Sequence, residues 1–246
     1  MENQSQNLTK QERLELKKEI REQKQKIIEK RQAAKKWLAR GVIALFVVGV
    51  GFGIGKLATL PPAPLPYDIL KVRSDDWIKG NQDAPATLIE YLDFECEACG
   101  AYDPVVKQLH NEFGNDLLVV ARYFPLPSHK NSMPAALAAE AAGRQGKFWE
   151  MHDTLFKEQK QWGEKPTPDP ELFVGYAEKI GLDVERFKRD VKDKSLKARV
   201  ERDRKSGNQL KVPGTPTFFL NGEKIQNPRS YEEFKMLIET AIKKER

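Results

Sequence analysis

The chain's only two cysteines, Cys96 and Cys99, are separated by two residues in F-E-C-E-A-C-G (Phe94 to Gly100). A strand-like run, Ala86 to Phe94, stops just before them, and a helix-like run, Ala98 to Phe113, starts between them. The backbone must turn from strand to helix at the thiols, so Cys96 lands at a helix N-terminus, where the macrodipole favours a thiolate. Redox chemistry is the direct reading. A structural zinc site needs about four ligands, and neither a second C-x-x-C nor the spacing of His110, His129 and His152 supplies them. A purely structural disulfide across so tight a loop would be strained, and strained bridges are the labile, catalytic kind. The expectation is no metal and no cofactor, with Cys96 as the exposed, attacked sulfur and Cys99, one turn further in, as its buried partner.

A second signal lies downstream, in V-P-G-T-P-T-F-F-L-N-G (Val212 to Gly222). Thr217 to Leu220 is β-branched and aromatic, hence strand-like, and Pro216 precedes it where the ladder needs no N–H and a cis peptide is tolerated. Alone, the segment reads as an ordinary turn before an edge strand. Joined to the C-x-x-C, it makes the pattern of a thioredoxin fold.

The resemblance is closer still to DsbA-like disulfide oxidoreductases, and to membrane-anchored bacterial thiol:disulfide interchange proteins among them. G-N-Q-D-A-P-A-T-L-I-E-Y-L-D-F-E-C-E-A-C (Gly80 to Cys99) resembles that family's first core strand and active site. S-H-K-N-S-M-P-A-A-L-A-A-E-A-A and Q-G-K-F-W-E-M-H-D-T-L-F, between Ser128 and Phe156, resemble its helical insertion. The likeness runs from about Asp75 to the C-terminus. It implies an α/β thioredoxin fold with a helical insertion at about 126–210. It also implies a backbone at Thr215 and Pro216 that receives an extended substrate as an added strand, and a quinone-linked membrane partner that reoxidises the dithiol. One departure stands out: the family commonly has Pro after the first cysteine, where this chain has Glu97. Glu97 and Ala98 are thus the tuning positions, and the charges of Glu95 and Glu97 beside Cys96 are expected to oppose thiolate formation.

Glu90 lies six residues before Cys96, where thioredoxin-like proteins often place a buried acid. Strand alternation puts it on one face with Leu88 and Leu92. Buried there, its carboxyl would titrate high and exchange a proton with Cys99; the alternative is an acid at a strand end reaching solvent.

Charge is distributed unevenly. Residues 1–40 carry twelve Lys/Arg against six Glu, and the whole chain is +6, so the basic excess belongs to the tail and the remainder shows none that would suggest nucleic acid. Gly41 to Leu60 is apolar except for Lys56 and Thr59. Twenty such residues span about 30 Å, the hydrocarbon thickness, and Lys56 is near enough to the end to snorkel. A cleaved signal peptide would have a shorter basic region and a small-residue cleavage site. The expected organisation is a charged cytoplasmic tail (1–40), a transmembrane anchor (41–60), a Pro-rich linker (61–74) and a domain (75–246). The Lys/Arg-rich flank is N-terminal, which places the domain outside the membrane, where disulfides persist.

The leading function is donation of the Cys96–Cys99 disulfide to cysteines of exported or unfolded proteins. A membrane-anchored reductase or isomerase is the alternative in the same fold. A non-enzymatic peptide- or partner-binding module is the alternative in another class, and full function in Cys96→Ser would favour it.

Overall fold

The computed structural model describes residues 67–246, together with the isolated helical positions Lys24, Gln25, Lys30, Arg31 and Trp37. The chain divides into two compact units, Met1–Ala63 and Pro64–Arg246. The segment 41–60, read above as an anchor, and most of the tail lie outside the described residues. Among the described residues no helix is long and apolar enough to cross a membrane.

The second unit opens with a short helix, α1 (Tyr67–Leu70), and an edge strand, β1 (Trp77–Lys79). Packing thus starts before the Asp75 boundary expected from sequence. The cause is Arg122, a wholly buried cation on the neighbouring strand. Its guanidinium donates to the carbonyls of Ile69 (2.6 Å) and Lys71 (2.7 Å) and pairs with Asp76 at 2.8 Å. A buried charge is tolerated only when paired and hydrogen-bonded, and residues 69–76 supply those partners.

β2 (Ala86–Leu92) and β3 (Leu117–Tyr123) form the parallel centre of a five-stranded sheet ordered β1-β3-β2-β4-β5. Parallel neighbours need a crossover, and helix α2 (Glu97–Phe113) provides it. Both strands are largely apolar, interrupted by Thr87 and Glu90 in β2 and by Arg122 in β3, because both faces are covered. Leu88 and Val119 pack with Val106 and Leu109 of α2, whereas Ile89, Tyr91 and Val120 form a cluster on the opposite face.

After β3 the chain leaves the sheet for the helical insertion: α3 (Ser132–Gly143), α4 (Phe148–Lys157), α5 (Gln159–Trp162), α6 (Pro170–Lys179), α7 (Val184–Asp190) and α8 (Lys194–Gln209). The alanines of α3 are buried nearly throughout, which lets neighbouring helices close on it at interior packing density. Gly143, at its end, makes room for the Trp77 indole: a Cβ there would sit 2.2 Å from the ring. Trp77 stacks on Phe148 at 4.6 Å, tying β1 to the insertion.

The sheet resumes with β4 (Thr217–Leu220), antiparallel to β2 with Phe218 opposite Glu90, and ends at β5 (Glu223–Lys224). Helix α9 (Tyr231–Glu245) buries Phe234, Ile238 and Ile242 beside α2. The α/β core with its helical insertion is the arrangement the motifs imply.

Candidate active site

Glu97 begins α2, and Cys96 occupies its N-cap in extended conformation (φ −71°, ψ 118°) with no side-chain capping bond. The first N–H groups of the helix therefore lack intrahelical partners. Those of Ala98 and Cys99 stabilise charge on the Cys96 sulfur without closing a capping bond to it. Both cysteines are free thiols here, Cys96 half-buried and Cys99 fully buried.

The two sulfurs titrate in opposite directions. Cys96 is lowered to about 5, first by its hydrogen bond with the Cys99 thiol, against the cost of partial burial; Thr215 and the two backbone N–H groups add to the effect. In the thiol form Cys96 donates to the Thr215 carbonyl at 3.2 Å, while the buried Thr215 hydroxyl has no hydrogen-bond partner. Cys99 is pushed well above the usual thiol range by burial, then by its bond to Cys96 and by Glu90. The Asp93 N–H lies 3.5 Å from its sulfur.

Thr215 and Pro216 come to the site as expected, joined by a cis peptide. The Asn227 amide donates to the Pro216 carbonyl (2.8 Å) and the Thr217 hydroxyl to the Gly214 carbonyl (2.7 Å), which fixes the loop. Beside it lies an open groove of about 580 Å³, lined by Pro213 to Thr217 and by Lys224 to Asn227.

Glu90 is buried on the face it shares with Leu88 and Leu92. Burial lifts its carboxyl to about 8, helped by the negative Asp103 and Cys96. It borders a cavity of about 20 Å³ that also touches Asp103, Lys107, His110 and His152, room for a single water. Asp103, His152 and Asp153 gather their ligand atoms within 4.8 Å. Lys107 already supplies the cation there, 2.7 Å from Asp103 and 2.9 Å from Asp153.

Glu97 and Ala98 are both exposed. Ala98 acts on Cys96 through its N–H. Glu95 corrects the expectation placed on it, because its carboxylate is buried and turned into the helical insertion. There it accepts from the Asn131 N–H (2.7 Å), the Asn131 amide (2.8 Å) and the Glu164 N–H (2.9 Å).

Sequence reasoning missed two further residues. Asp93 is buried and accepts from the N–H groups of Glu95 and Leu126 and from His129 Nδ1 at 2.8 Å. Gln159, on α5, donates to the carbonyls of Phe94 (2.7 Å) and Cys96 (2.9 Å). An acid beside F-E-C is the only sequence signal for Asp93, and none marks Gln159. Of the other histidines, His152 packs among Phe94, Phe148 and Trp149, and His110 lines the cavity.

A family model described as "Thioredoxin" matches residues 73–240. The chain belongs to the thioredoxin family. Its fold is that of DsbA-like thiol–disulfide oxidoreductases. Oxidised BdbD from Bacillus subtilis is 26% identical with a TM-score of 0.62, over 68% of this chain and 92% of that one. Wolbachia pipientis alpha-DsbA1 is 21% identical and shares the fold at a TM-score of 0.66, over 73% and 96%. Among curated proteins, the "Na(+)/H(+) antiporter NhaA 1" of Salinispora arenicola is 39% identical over 168 residues, 68% of this chain and 25% of that protein. The "Na(+)/H(+) antiporter NhaA" of Herminiimonas arsenicoxydans is 40% identical over 151 residues, 61% and 23%. The chain spans about a quarter of the length of the curated relatives it matches.

Proposed function

We propose that this thioredoxin-family domain donates the Cys96–Cys99 disulfide to the thiols of exported or unfolded proteins. The observation that carries the reading is the opposed titration of the two sulfurs. A stabilised Cys96 thiolate favours the reduced dithiol, and a pair that favours its reduced form oxidises others.

A substrate thiolate attacks Cys96 Sγ, the Cys96–Cys99 bond breaks, and Cys99 leaves with the electron pair. Buried and raised, Cys99 takes a proton, and Glu90, neutral below about pH 8, is the acid at hand. A second substrate thiolate then attacks the substrate sulfur of the mixed disulfide and releases Cys96 as its stabilised thiolate. The substrate loses two electrons and gains a disulfide, and the domain holds a dithiol. The Thr215–Pro216 backbone receives the substrate as an extended segment, a sequence-tolerant mode suited to many unfolded chains. A redox partner in the membrane reoxidises the dithiol. The anchor at 41–60 holds the domain on the extracytoplasmic side, where disulfides persist.

Equilibration with glutathione tests the direction. Donation predicts a potential above about −200 mV, between strong oxidants near −120 mV and thioredoxin near −270 mV. A value near −270 mV or below would make the domain a reductase.

A further inference from the structure

The loop bearing Cys96 is held from outside the thioredoxin core. Gln159 reaches it from the helical insertion, and one amide nitrogen donates to the carbonyls on both sides of the Glu95–Cys96 pair, Phe94 and Cys96. The Cys96 carbonyl also accepts the first bond of α2, from the Gly100 N–H at 3.1 Å. One side chain contributed from 63 residues away therefore fixes the Cys96–Glu97 peptide and the Phe94–Glu95 peptide before it, while the Cys96 N–H is held by the Asp93 carbonyl at 3.1 Å.

Gly100 belongs to the same device. A Cβ built on it would meet Gln159 Oε1 at 2.6 Å, and its next nearest neighbours are also Gln159 atoms, Cδ at 3.3 Å and Nε2 at 3.4 Å. Gly100 lies inside a helix, where alanine is the better residue, so the glycine serves the close approach of the amide. An added methyl would meet the far end of a flexible side chain, which can swing away only by giving up its bonds to the Phe94 and Cys96 carbonyls.

We infer that Gln159, seated against Gly100, is a positioning residue that holds the Cys96 sulfur over the N–H groups of Ala98 and Cys99. Without that hold, the Cys96–Glu97 peptide loses its side-chain anchor and can rotate at the N-cap although Glu95 and the Cys96 N–H stay bonded, and the sulfur spends less time near its donors. The thiolate then loses stabilisation, and the domain becomes a weaker oxidant. The inference rests on the thiol-exchange reading above, but its readout does not.

The test is an ultraviolet titration of the Cys96 thiolate in the reduced full-length protein and in three variants: Gln159→Met, Gly100→Ala and the double substitution. Methionine keeps the bulk of glutamine and removes the donor. Each single variant should raise the Cys96 pKa by about one unit, the scale of a lost hydrogen bond to a charged group. The double variant should rise no further than either single, because both act through the same contact. Gly100→Ala should unfold no lower in temperature than the parent, which separates lost positioning from lost stability. An unchanged pKa in Gly100→Ala or Gln159→Met, or additive shifts in the double variant, would overturn the inference. If the parent itself shows an ordinary thiol pKa, the thiol-exchange reading fails first and separately.

Discussion

The rim and the floor of the site differ more than three positions of sequence would suggest. At the rim, Cys96 is half-buried and surrounded by donors, and it titrates near 5. At the floor, Cys99 and Glu90 lie in the apolar interior, each pushed toward its neutral form, Glu90 to about 8 and Cys99 beyond the usual thiol range. The same side chain thus plays two parts, set by depth and by which N–H groups face it. A C-x-x-C is therefore an asymmetric device, whose exposed sulfur holds charge and whose buried sulfur holds a proton.

Glu90→Gln breaks the floor and should have the largest effect. Exchange near neutral pH should slow by about tenfold or more, and stopped-flow reduction of the disulfide measures it. The difference should shrink above about pH 8, where Glu90 itself ionises and no longer supplies a proton. Equal rates from pH 6 to 8 would leave Glu90 a packing residue. Stability carries a second signature. Glu90 is raised from 4.5 to about 8, so the folded state binds the extra proton between those values. The stability it allows is full below about pH 4.5 and is lost as pH rises through 8, on the order of 5 kcal/mol in all. Cys96, lowered from 9.0 to about 5, slopes the other way in the reduced protein: its contribution is present above pH 9 and lost as pH falls through 5. Denaturation of the oxidised protein should therefore lose the Cys96 slope and keep the Glu90 one, and Glu90→Gln should remove the latter.

The rim is sharpened by a smaller change, Glu97→Pro. Cys96 already has the extended backbone that a residue before proline requires, and the N–H groups that serve its sulfur belong to Ala98 and Cys99. Proline at the first helical position therefore costs the sulfur no donor and removes one exposed carboxylate. The Cys96 pKa should fall by about half a unit, the scale of a screened charge several ångströms away, and glutathione equilibration should show a slightly more oxidising domain. An unchanged or higher pKa would mean that hydrogen bonds alone set the rim.

How far the sequence could be read follows from the range of the contacts. β2, β3 and β4 are legible because burial on two faces leaves largely apolar runs, α2 because it follows the strand end at the cysteines, and the cysteines and Pro216 mark the ends of those elements. Glu90 is legible because strand alternation is local. β1 is three residues long, and its strand state comes from pairing with β3, so W-I-K carries no signal of its own. Arg122 hides its role for the same reason, since the partners that make a buried cation tolerable lie 46 to 53 residues away. Glu95 was misread through its nearness to Cys96: adjacency in sequence suggests a charge beside the sulfur, whereas the fold sends its carboxylate to Asn131 and Glu164. Gln159 meets the active-site loop only because the insertion folds back over it.

The most direct test of the rim-and-floor asymmetry follows alkylation of each cysteine separately in the reduced protein, by mass spectrometry, as a function of pH. Cys96 should react with a midpoint near pH 5, and Cys99 should stay unreactive until the pH exceeds that of an ordinary thiol. Two cysteines that titrate together in the ordinary thiol range, or a Cys99 that reacts before Cys96, would contradict the asymmetry and the direction of electron flow built on it.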